Sequence, residues 1–247
     1  GVHARKSLGY AFSIRMQYMY GVAKGLANTP TVNFGKNTAW AGYPTGAGNV
    51  VYANYKNRTQ DLGIQGILSI NNIRFHKHKS KVVLYAGAGI GLSAYQTKVN
   101  ALNEASGTNY RTLFNNTYTD FGNKRENYKQ IRSTLKGGMD NTYETDAESH
   151  SNRRKIGGQT IAFSSTILAG VAYRLSNRMN LAIESRHTFV GDDLLDGQRW
   201  QEHPQGDAAL SPNFDTYNYT SIGLNYNLGK KAIEPLWWIN PLDYVYG

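Results

Sequence analysis

Residues 159–190 read QTIAFSSTILAGVAYRLSNRMNLAIESRHTFV, and the reading of this stretch decides the fold class. Every second residue from Ile161 gives Ile161, Phe163, Ser165, Ile167, Ala169, Val171, Tyr173 and Leu175. The set between them is Thr160, Ala162, Ser164, Thr166, Leu168, Gly170, Ala172 and Arg174. After Ser176-Asn177-Arg178 the pattern resumes, with Leu181, Ile183 and Phe189 on one side and Ala182, Glu184, Arg186 and Thr188 on the other. Successive side chains of a strand point to opposite faces, so the stretch predicts a hairpin with one apolar and one small or polar surface. In a soluble sandwich the apolar surface would meet another sheet. In a transmembrane barrel it would meet lipid, and the interior could hold Glu184 and Arg186.

The same alternation recurs outward from this hairpin. Phe12, Ile14, Met16, Tyr18, Tyr20 and Val22 alternate with Ser13, Arg15, Gln17, Met19 and Gly21. Leu62, Ile64, Leu68 and Ile70, within a strand expected over 51–70, oppose Asp61, Gly63, Gln65 and Ser69. Val82, Leu84, Ala86, Ala88, Ile90 and Leu92 oppose Tyr85, Gly87, Gly89, Gly91 and Ser93, and the last repeat runs over Tyr217–Leu228. A weaker alternation in residues 1–8 adds a first strand. That makes seven strands. The connections between them alternate short and long: near Gly9, 24–49, the basic turn 74–81, 98–155, near Asn177, and 191–213. Loop lengths sorted by end are expected of an up-and-down outer-membrane barrel, and a soluble sandwich has no reason to produce them. In 98–155 only Tyr128–Met139 predicts a helix.

Composition is compatible with this reading. Twenty-six glycines and eighteen tyrosines against six prolines favour strands and turns. The longest uncharged stretches fall short of the roughly 20 apolar residues of a membrane helix, whereas a barrel needs only alternate apolar positions. With no cysteine, disulfides, thiolate metal sites and a lipidated cysteine are excluded. The net charge of +10 suits nucleic acid or phosphate-bearing lipid, but no nucleic-acid motif is present and no such partner is expected. Residues 1–6 carry no leader pattern, so a secreted protein would be present here without its signal peptide.

The expectation is therefore an all-β fold, a small up-and-down antiparallel transmembrane β-barrel with long extracellular loops. It comprises residues 1–229, with 230–247 as a periplasmic exit segment. Strand parity calls for a further strand upstream, giving about eight in the full protein. The polar faces place Arg15, Gln17, Asp61, Glu184 and Arg186 inside as a plug of paired charges. Trp237 and Trp238 are expected as amphipathic rings at the inner membrane interface.

Other polar clusters have ordinary readings. Asp192, Asp193 and Asp196 could bind calcium, but they lack a full calcium-loop spacing, and a solvated or Arg199-paired loop is the expectation. His76 and His78 read as a wet basic turn that could touch lipid phosphates. Arg153, Arg154 and Lys155 read as a solvated loop that could touch lipopolysaccharide. His187 near Asp192 raises the thought of a rim enzyme, but no catalytic spacing supports it, so no catalytic, cofactor or metal residue is assigned.

The tail LGKKAIEPLWWINPLDYVYG (228–247) resembles the end of the N-terminal barrel in OmpA-family proteins of Bacteroidetes. So do KSLGYAFSIRMQYMYGVAKGL (6–26) and DDLLDGQRW (192–200). The resemblance implies an integral outer-membrane protein whose barrel anchors a periplasmic peptidoglycan-binding domain and so supports envelope integrity. This chain stops at Gly247 without that domain, so wall binding is expected of a longer parent. The alternative is an accessory subunit of a larger outer-membrane complex for barrel assembly or protein secretion.

Overall fold

In the computed structural model the alternating stretches form one antiparallel sheet. The structure describes residues 1–27, 29–31, 40, 43, 50–73, 81–122, 124–147, 154–199, 214–228 and 235–239. The long strands are β1 (Val2–Ser7), β2 (Phe12–Gly25), β3 (Tyr55–Ser69), β4 (Val82–Val99), β7 (Gln159–Arg174), β8 (Met179–Val190) and β9 (Thr216–Tyr226). They pair in that order, each antiparallel to the next. Two-residue strands β5 (Thr145–Asp146) and β6 (Lys155–Ile156) extend the ladder beside β4 and β7. Sequential antiparallel pairing puts the connections 8–11, 70–81 and 175–178 at one end and 26–54, 100–158 and 191–215 at the other. The lengths are sorted by end, as the sequence predicts.

The sheet curls into a half-barrel, and its two faces differ as the alternation requires. The convex face carries large apolar side chains in the open, among them Ile64 at 60%, Ile90 at 62% and Ile167 at 54% exposure. The concave face buries Ser13, Arg15, Asp61, Gln65, Ser93, Glu184 and Arg186. Small residues permit the curl. A Cβ built on Gly89 would lie 2.4 Å from the Ile64 carbonyl oxygen and 2.9 Å from the Gln65 Cα, so β3 and β4 approach closely only because glycine stands there. No helix among the described residues is long and apolar enough to cross a membrane.

The 100–158 connection departs from expectation. The predicted helix is present as α2 (Tyr128–Gly138), but a second one, α1 (Arg111–Phe121), precedes it. Both pack on the long-loop end around Tyr52, Tyr110, Phe114, Ile131, Leu135 and Met139. Tyr52 and Phe114 stack at 3.8 Å between centroids. The Tyr110 hydroxyl donates to Asp140 at 2.8 Å, and burial of that phenol, reinforced by its carboxylate acceptor, pushes its pKa up. The sequence hides α1 because RTLFNNTYTDF is full of Asn, Thr and aromatic residues of low helix propensity; the packed cluster outweighs it.

Candidate functional site

The alternation of β2, β3, β4 and β8 sends one polar set into the concavity, where side chains from distant strands meet. Arg15 on β2 and Glu184 on β8 form a two-pronged pair, Nη1 to Oε2 at 2.6 Å and Nη2 to Oε1 at 2.9 Å. Arg15 Nε donates to Gln65 Oε1 at 2.7 Å, and the Tyr85 hydroxyl donates to Glu184 Oε2 at 3.0 Å. A planar guanidinium matches a carboxylate fork, so the pair fixes both side chains in orientation as well as charge. Because β2 and β8 are not sheet neighbours, this contact spans the concavity.

The other three predicted interior residues lie on the same face. Asp61 accepts hydrogen bonds from Ser93 and from Tyr217 on β9, a second link between distant strands. Arg186 lies against Met19 Sδ at 2.6 Å and over the Tyr219 ring at 5.6 Å. Gln17 is half-buried, and its Oε1 has no hydrogen-bond partner among the described residues. The sequence reading missed Gln65, Tyr85, Ser93 and Tyr217 as members of this network. Alternation had put Gln65, Tyr85 and Ser93 on the correct face, but only a three-dimensional structure shows which residues meet.

Both ends of the concavity are filled. At the long-loop end Leu194 packs with Tyr95, Ala162 and Val190, and the Tyr95 hydroxyl donates to Asp192. At the short-turn end Trp237 and Trp238 are each 5% exposed and pack with Ile67, Val83, Tyr85, Leu168, Ala172 and Ala182. This corrects the expectation of rings at an interface: both indoles are turned into the concave face. Asn72 ties the tail in place by donating to the carbonyl oxygens of Tyr10 (2.6 Å) and Trp237 (2.7 Å), and the Arg5 guanidinium sits 4.1 Å from the Trp237 ring centroid. Sequence reasoning saw amphipathic rings beside prolines and could not see that the chain folds back.

The remaining candidates are dispersed. Asp192 is buried beneath the long loops, whereas His187 lies on the convex face, edge-on to Phe189 with centroids 4.8 Å apart. Asp215 accepts the Leu195 N–H at 2.7 Å. Burial, with Asp196, Asp193 and Asp192 nearby, raises its pKa to about 7. Among the described residues no three His, Asp or Glu side chains are grouped to hold a metal ion. His76, His78, Arg153, Trp200 and most of 228–247 lie outside the described residues.

The arrangement is a cross-strand brace. It buries opposite charges in mutual contact and seals the concavity with Leu194 at one end and indoles at the other. Compared with family models, curated proteins and solved structures, the chain matches none.

Proposed function

We propose that the chain is a non-enzymatic integral β-barrel of the bacterial outer membrane that anchors a periplasmic peptidoglycan-binding domain of the whole protein. One observation carries this reading: the polarity of the sheet is inverted. Its open convex face is apolar, and its sheltered concave face holds a charged network. A contiguous apolar surface of this extent needs a covering, and hydrocarbon covers all of it at once.

Closure of the sheet belongs to the same proposal. β1 and β9 both run toward the short-turn end, so direct pairing would be parallel, whereas one added strand antiparallel to both completes an even, edgeless barrel. Outward residues at these edges are wide open, with Val2 at 69% and Ile222 at 72% exposure. Among the described residues, the sheet's buried polar atoms without a hydrogen-bond partner are Arg5 Nε, Gln17 Oε1, Asn180 Nδ2 and Arg186 Nε, all on β1, β2 or β8 beside the gap. Inward polar side chains on the closing strand would satisfy them.

Tethering rests on the resemblance of residues 6–26, 192–200 and 228–247 to OmpA-family barrels. Lipopolysaccharide and the surrounding lipid are the expected partners of the wall and loops. The test takes cells making the whole protein. Alkaline carbonate extraction should leave it in the membrane pellet, and purified sacculi should retain the whole protein but not the isolated chain. Release by carbonate sinks the membrane reading, and passage of the whole protein through sacculi sinks the tether.

A further inference from the structure

Just beyond the apolar belt, at the long-loop end, the outward face of β2, β3 and β4 carries a row of cations. Lys24, Lys56 and Lys98 are register partners on adjacent strands, so their side chains leave the sheet side by side, and Arg58 lies beside Val22 one step nearer the belt. Like charges directly opposite one another on a sheet repel. The row ends at Asp146 on β5, in register with Lys98, and among the described residues none of the four cations makes a salt bridge. The Lys24 and Lys56 Nζ atoms lie 5.2 Å and 5.8 Å from the centroid of one ring, Tyr143, whose φ of 52° is a strained, left-handed value for an aromatic residue. Such strain gathers at ligand clamps. Lys24 stands twelve residues beyond Phe12, the start of the apolar alternation on β2. At about 3.4 Å per residue and a tilt of about 40°, that separation is roughly 30 Å along the membrane normal, the thickness of the hydrocarbon core. The row therefore meets the headgroups of the outer leaflet. The same end of β8 and β9 presents Ser185, His187, Phe189, Asn218 and Thr216 outward, without lysine or arginine. Cations that merely snorkel would ring the whole rim, whereas these occupy one sector.

We propose that Lys24, Lys56, Arg58 and Lys98 hold the phosphate groups of one outer-leaflet lipid of the phosphomonoester-bearing class, lipopolysaccharide, against this sector of the wall. The inference rests on the membrane reading above and names the place where that lipid is held. A phosphomonoester brings about −1.5 to −2 charges and three acceptor oxygens, so it relieves the repulsion within the row and accepts from several ammonium groups at once. A zwitterionic phospholipid carries its own cation and relieves less. Directly below the row, on the same strands, Tyr20, Val22, Leu62 and Leu92 are exposed, and acyl chains attached to the phosphate would lie along them. A free anion gains nothing from that surface, so the lipid is the better occupant.

The test takes the whole protein in detergent micelles with divalent cations chelated, and native mass spectrometry counts bound lipid A, the phosphate-bearing anchor of lipopolysaccharide. The expected result is one lipid A retained, bound about tenfold or more tighter than lipid A stripped of its phosphates, and not displaced by an excess of inorganic phosphate. Each cation facing a phosphate-bearing lipid surface is worth roughly fivefold in binding, so K24Q/K56Q/K98Q should weaken lipid A binding by about a hundredfold. Neutralising the row relieves repulsion in the sheet, so the fold should stand, and the comparison with phosphate-free lipid A needs no variant. K129Q/R132Q/K136Q removes the same charge from the exposed face of α2 and should leave binding within about twofold. No retained lipid A, equal affinity for the phosphate-free form, displacement by inorganic phosphate, a row variant that binds as the parent does, or equal losses from the two triple variants overturns the proposal. A whole protein that stays monodisperse in buffer without detergent overturns the membrane reading instead.

Discussion

Replacing Glu184 with leucine should cost far more than replacing Glu184 and Arg15 together. The side chains of Arg15 and Glu184 are 4% and 9% exposed, and Glu184 accepts both guanidinium nitrogens and the Tyr85 hydroxyl. E184L strands a buried cation that keeps only Gln65, and breaking such a pair costs about 3–5 kcal/mol. It also orphans the Tyr85 hydroxyl, adding about 1 kcal/mol at the lower end for an unsatisfied buried donor. The expected loss is thus about 4–6 kcal/mol, or roughly three to four orders of magnitude in the folding equilibrium. The double variant R15M/E184L removes both charges and fills the space with apolar atoms, so it should fall within about 2 kcal/mol of the parent. Reversible urea unfolding in lipid vesicles, followed through the four tryptophans, measures both. An E184L loss below about 1 kcal/mol would show that the pair is solvated, and a double variant as damaged as the single would show that the charges are not what binds β2 to β8.

Three further outcomes follow from other parts of the molecule. The Asp215 pKa is raised to about 7 by burial and its acidic neighbours. Between pH 4 and 7, roughly the span from its unfolded to its folded value, the folded state holds the extra proton. This residue's contribution to stability is therefore largest at low pH, declines as pH rises through that window and is flat above it. D215N should remove that slope and raise the unfolding midpoint at pH 8 while leaving it unchanged at pH 4. A Cβ on Gly170 would meet Tyr85 Cζ and its hydroxyl at 2.4 Å and the Ile183 carbonyl oxygen at 2.9 Å. G170A should therefore push Tyr85 off Glu184 and cost about 1–3 kcal/mol in the same unfolding assay. W237A should cost about 3–5 kcal/mol, because it empties the cluster under Val83 and Leu168 and removes the ring beneath Arg5; a surface tryptophan would cost well under 1 kcal/mol.

The strands were legible because a two-residue period survives in the sequence whatever surrounds it. Phe12 to Val22 and Ile161 to Leu175 announce both their extent and their two faces, and the five interior residues named from that period all lie on the concave face. Partnership across the concavity was not legible. Nothing in the spacing of Arg15 and Glu184, 169 residues apart, says that the sheet curls far enough for them to touch. α2 showed itself through Ile131 and Leu135, one helical turn apart, while α1 depends on contacts with Tyr52 that lie outside its own sequence. The tail misled because an amphipathic indole suits a lipid interface and a buried plug equally well. Only its packing against Ile67 and Ala172 distinguishes the two.

The central claim is that hydrocarbon touches the convex face, and the absence of cysteine makes it directly measurable. Single cysteines at Ile14, Ile64 and Ile167 on that face, and at Gln17 and Ser93 on the other, can each carry a nitroxide in lipid vesicles. Collision rates with oxygen, which concentrates in hydrocarbon, and with a water-soluble nickel chelate are then compared. The expected result is high oxygen and low nickel collision at 14, 64 and 167, with low collision by both at 17 and 93. High nickel collision at 14, 64 and 167 would mean that these isoleucines face water, and low collision by both reagents there would mean that protein covers them; either result contradicts the claim.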